Sequence, residues 1–164
     1  MLEWLSFAIL AGMKQPLLTL ILVLFSLFGR AQSQPTPFKS ANVITVLTTD
    51  SAATALHKMG LALVRQGYMV DKVDKEFMVL VSRPRQLTSY SAPIFITIRI
   101  SATPTAPATL QVMGDYVMAT MFDVKFNPVE YPSRGLRGAS IITFTELEKL
   151  ARLYPDGKLA YEKH

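Results

Sequence analysis

The chain reads as an α+β domain in which a curved, mainly antiparallel sheet is covered on one face by helices. Three observations carry that expectation. Ile94, Ile96, Ile98 and Ile100 occupy every second position of IFITIRI, the period of a strand with one buried face. Ala52, Leu56, Met59 and Leu63 recur at spacings of four, three and four, which places them on one side of a helix. Short apolar strands follow one another between these segments with polar or Pro-rich connections, and a second helical pattern closes the chain.

In order, Val43 to Leu47 is β-branched and short, a first strand. Asp50 can cap a helix through Gln66, and Gly67 stands where a left-handed residue ends it. Tyr68 to Val73 and Phe77 to Ser82 form two strands of a hairpin across Asp74-Lys75-Glu76, with Arg83 to Ser91 read as a loop. Ile94 to Ile100 is the central strand, and Thr103-Pro104-Thr105-Ala106-Pro107 turns the chain into a long return strand from Thr109 to about Thr120. Gly114 within it predicts a bulge or a close approach to the backbone. Phe122, Val124 and Phe126 still alternate before a Pro/Gly-rich loop from Asn127 to Gly138. Thr143 with Glu146, and Thr145 with Glu148, have capping-box spacing at the start of a last helix. Its apolar stripe is Phe144, Leu147, Leu150, Ala151 and Tyr154, and Pro155-Asp156-Gly157 stops it.

The expected order is β-α-β-β-β-β-α. With the helix-to-strand passage LVRQGYMV, Leu63 to Val70, this order is similar to that of TATA-binding-protein-like and helix-grip domains. The likeness is one of shape, and implies no activity or site. Exported outer-membrane assembly lipoproteins with helix-grip domains are an analogue, but this chain has no cysteine to lipidate.

The first thirty-odd residues carry an address. Lys14 precedes the apolar run Leu17 to Phe28, LLTLILVLFSLF, and Gly29 and Ala31 then supply the small residues at −3 and −1 of a cleavage site. Spanning roughly 30 Å of hydrocarbon takes about 20 residues, so this shorter run reads as a signal peptide over 1–31, with a retained anchor as the alternative. Translation can begin at Met1 or at Met13. Residues 32–40, with Pro35 and Pro37, read as a flexible lead-in, and 41–164 as a single domain. The expected location is periplasmic or extracellular, with no stable membrane span after cleavage.

Composition excludes several chemistries. The absence of cysteine removes thiol nucleophiles, disulfides and Cys-type zinc sites. The formal charge of +5 is spread along the chain, without the basic blocks or aromatic interleaving of a nucleic-acid surface. No serine lies in Gly-x-Ser-x-Gly and no phosphate loop is present. With His57 the only histidine before the last residue, His164, neither a metal site nor another cofactor is expected.

His57 reads as a solvated residue on the flank of the first helix; a secreted hydrolase using it with a Ser or Asp is the enzyme alternative. The leading expectation is a non-catalytic binding or accessory domain, with an envelope or extracellular protein as its partner. A carrier of a small apolar molecule is the alternative. Its groove would lie under the C-terminal helix, lined by Tyr116, Met118, Phe122, Phe144 and Leu147.

Overall fold

The computed structural model describes residues 33–87, 93–119, 124–132 and 138–164, all within one compact unit that runs from Gln32 to His164. Residues 1–31, expected from the sequence to be a signal peptide, and Phe122 lie outside the described residues. Among the described residues, eight strands and two helices make an α+β fold, with the helices packed against a curved antiparallel sheet.

The strands are β1 (Val43–Leu47), β2 (Val70–Asp74), β3 (Val79–Ser82), β4 (Arg85–Leu87), β5 (Ile94–Ala102), β6 (Thr109–Ala119), β7 (Val124–Pro128) and β8 (Lys158–Glu162). The helices are α1 (Ala52–Arg65) and α2 (Ala139–Ala151). The main path across the sheet is β2-β3-β5-β6-β1-β8. The two long strands, β5 and β6, pair from Ile94 with Met118 to Ala102 with Leu110 and form its spine. Each is long enough to carry two short strands end to end on its outer edge: β3 and β4 along β5, and β1 and β7 along β6.

The isoleucines at 94, 96, 98 and 100 are all 0% exposed, while the Arg99 side chain between them stays in solvent. Paired residues point to the same side of a sheet, so this strand fixes the covered face for its neighbours. Leu80 pairs with Ile100 and touches α1 beneath Gly60. Gly114 pairs with Ile98 and lies under α2, where an added Cβ would stand 3.4 Å from the Leu147 Cδ1 and 3.2 Å from the Thr97 carbonyl oxygen. Both helices therefore cover one face. The close approach expected at Gly114 is present, and the register there is continuous.

Several boundaries differ from the sequence reading, each for a local reason. Ser51, not Asp50, caps α1: its Oγ accepts from the Thr54 amide, which frees the Asp50 carboxylate for Lys58 and for the Tyr154 hydroxyl. The α2 helix begins at Ala139, before both capping boxes. Thr143 is buried within it, and its hydroxyl donates back to the Ala139 carbonyl at 2.8 Å. Strand β4 replaces part of the loop after Arg83 because Arg85 is tethered, donating to the Gln66 carbonyl at 2.7 Å and stacking over the Tyr68 ring at 4.6 Å.

Two further strands have no counterpart in the expected order. Strand β7 hydrogen-bonds to the far end of β6, and β8 returns after the Asp156-Gly157 turn to pair along the whole of β1. The lead-in is tied to this edge, since Gln34 and Tyr161 exchange backbone hydrogen bonds and the Ser40 amide donates to the Tyr131 carbonyl. Gly157 makes the last turn possible: a Cβ there would lie 2.6 Å from Val46.

Candidate functional site

Of the five residues expected to line a groove, Tyr116, Phe144 and Leu147 are buried, Met118 is partly buried and Phe122 lies outside the described residues. Phe144 and Leu147 are buried between α2 and the sheet, and Tyr116 is 8% exposed with its hydroxyl 3.4 Å from the Ser140 Oγ. Met118 is partly buried against the same core. Phe144 also makes an edge-to-face contact with Tyr131, with ring centroids 5.2 Å apart.

Polar ties close that end further. Tyr161 donates to Glu148 at 2.7 Å, Tyr68 donates to Glu146 at 3.1 Å, and Tyr154 donates to Asp50. Burial, followed by the adjacent carboxylate in each case, raises the tyrosine pKa values: Tyr154 and Tyr161 are pushed up to about 12, and Tyr68 is also raised. Asp50 is held below the usual carboxylate range by its hydrogen bonds from Lys58 and Tyr154. These groups are locks between elements, each with its hydrogen-bonding capacity used by a neighbour.

A cleft of about 600 Å³ opens at the other end of the covered face, between α1 and the β2–β3 hairpin. Helix α1 supplies Ala53, Leu56, His57, Gly60, Leu61 and Val64. Their spacings of three, one, three, one and three make a second stripe beside the core stripe of Ala52, Ala55, Leu56, Met59 and Leu63. The hairpin supplies Val70, Val73, Lys75, Met78 and Leu80. Alternation alone would send Val70 and Val73 to opposite faces, but the register shifts between Val70 and Lys72 and brings both to the helix side. Gly60 sets the depth, because it has no side chain where the Leu80 Cδ1 already lies 3.0 Å from a Cβ position.

The surface left behind is apolar and wet. Leu61, Val64 and Val73 are 45%, 54% and 50% exposed although each lines the cleft, and Met69 and Phe77 stand exposed on the same hairpin. Exposed leucines scattered singly are ordinary; several that converge on one concavity of ligand size mark a binding surface.

His57 is exposed, as the helix pattern predicts, and it also borders this cleft. Among the described residues it makes no hydrogen bond or ion pair, and no described serine or carboxylate is positioned against its ring. No group of three or more His, Asp or Glu residues converges in metal-binding geometry among the described residues. No described helix is long and apolar enough to cross a membrane.

The cleft was not singled out from the sequence, yet a signal exists. Leu61 and Val64 extend the apolar surface of α1 beyond what one side of a sheet can cover, and Val70 and Val73 follow within a few residues. No protein-family model matches this sequence, and no curated protein matches it either.

Proposed function

We propose that this is an exported, non-catalytic binding domain that accommodates an apolar ligand in the cleft between α1 and the β2–β3 hairpin. One observation carries the reading: a concavity of about 600 Å³ lined by Leu56, Leu61, Val64, Val70, Val73 and Leu80, within the range of roughly 300–1,000 Å³ usual for small-molecule sites. Keeping large apolar side chains in water forgoes about 25 cal/mol for each Å² left uncovered, a cost an occupant of the cleft relieves. That His57 has no partner among the described residues speaks for binding over hydrolysis, since a general base needs a group to orient it and a nucleophile to deprotonate.

Export is supported by the apolar run Leu17 to Phe28 and the small residues before Gln32. Amino-terminal sequencing of protein recovered from outside the cytoplasm should begin at Gln32 or Gln34. An intact Met1 or Met13 would make the segment an anchor instead. For the cleft, the uncharged fluorophore N-phenylnaphthylamine should brighten on binding the protein, and Val64→Asp should abolish the signal because an unpaired charge in an apolar site costs several kcal/mol. Fluorescence unchanged by that substitution would place the probe elsewhere and overturn the reading.

A further inference from the structure

The cleft is apolar along its length but not electrically neutral. Its lining includes two side chains with nitrogen groups, His57 from α1 and Lys75 from the hairpin turn, and no carboxylate. Four lysines and arginines around α1 and the hairpin are already paired, Lys58 with Asp50, Lys72 with Asp74, Arg83 with Asp71 and Arg85 with Glu146, and Arg65, at the end of α1, does not line the cleft. Lys75 and His57 have no hydrogen-bond or ion-pair partner among the described residues. The acids that flank Lys75 in the chain, Asp74 and Glu76, do not line the cleft. Asp74 is further occupied by the Glu76 and Phe77 amides, at 3.2 and 3.0 Å.

Resting on the binding reading above, we propose that the occupant is a single-chain amphiphile with an anionic head, its hydrocarbon along the seam between α1 and the hairpin and its head at Lys75. A purely apolar occupant would cover the approach to the Lys75 ammonium and return nothing for the water it displaces. A carboxylate or phosphate head supplies the missing counter-charge, while the lysine stem packs along the apolar rim. Both moieties of such a ligand therefore meet their complement, and the neutral head of an ester or alcohol does not.

The test is a titration of the protein, expressed from its full-length sequence, with cis-parinaric acid and separately with its methyl ester, both below micelle-forming concentration. The acid should bind saturably and about tenfold more tightly than the ester, a difference of about 1.4 kcal/mol. Lys75→Gln should bring the acid to the affinity of the ester and leave the ester unchanged, and Leu61→Asp should abolish binding of both. Lys75 and Leu61 are both exposed, so neither change disturbs the core. Equal affinities for acid and ester, or indifference of the acid to Lys75→Gln, would overturn the anionic head and leave the apolar cleft standing. Failure of both probes to bind, or binding insensitive to Leu61→Asp, would overturn the cleft reading and this inference together.

Discussion

The two helices lie on the same face of one sheet, yet one seals its surface and the other leaves it open. Helix α2 sits over the central strands β5, β6 and β1, where neighbours on both sides supply side chains to meet Phe144, Leu147 and Leu150. Helix α1 packs on β5 and β6 as well, but its outer flank overhangs β2 and β3 at the sheet edge, where no further strand follows among the described residues. The core stripe of α1 is buried as deeply as that of α2. Its second stripe finds only the hairpin opposite it, and the gap between them is the cleft. An apolar side chain is thus structural or available according to how many strands lie beyond it.

That contrast can be broken most directly by truncation at the sealed end. Phe144→Ala should destabilise the protein by about 3–5 kcal/mol in urea or thermal unfolding, since it removes a ring packed against both Tyr131 and Tyr161. At the spine, Ile96→Ala should cost about 2–5 kcal/mol and Thr97→Ala far less, because the two residues occupy opposite faces. Equal losses at 96 and 97 would mean that the covered face is not the one described.

Alkaline pH should loosen the sealed end by a different route. Tyr154 and Tyr161 have their pKa values raised from 10 to about 12 on folding, so the unfolded chain loses those protons first. Stability from these groups is fully present below pH 10 and is lost as pH rises toward 12. Unfolding followed by circular dichroism and by tyrosinate absorbance should coincide in that window, and Tyr161→Phe should make the fall shallower. Ionisation of Tyr161 near pH 10 before any loss of structure, read as the difference in tyrosinate absorbance between the protein and Tyr161→Phe, would show that this hydroxyl is not locked.

The smallest effects on stability belong to the open end. Leu61→Ala and His57→Ala should each change unfolding free energy by less than about 0.5 kcal/mol, because both side chains are exposed. Leu61→Ala should nonetheless weaken binding of N-phenylnaphthylamine, so stability and binding separate at this helix flank. A loss of several kcal/mol from Leu61→Ala would instead class the stripe as core.

What was legible without the tertiary structure follows from local repetition. The period of two through Ile94 to Ile100 and the helical spacing of Ala52, Leu56, Met59 and Leu63 identify buried faces, because burial of one side imposes its period on the chain. Gly67, at φ 81°, and Gly114 were readable for the same kind of reason, since each position constrains the backbone locally. Strand β4 was not: Arg85-Gln86-Leu87 has no alternation, and it is a strand because Tyr68 and the Gln66 carbonyl hold Arg85 beside β5.

Strand β8 depends in the same way on β1, whose partner residues lie more than a hundred positions away. Whether Phe144, Leu147 and Tyr116 would line a groove or fill a core was equally undecidable from spacing, because a buried residue and a ligand-lining residue share the same apolar period. Residue periodicity alone identifies which side chains seek an apolar surface. Tertiary structure decided how many find one, since that depends on the order of strands in the sheet: those over its centre are matched by neighbours, and those over its β2 edge are left to water or to a ligand.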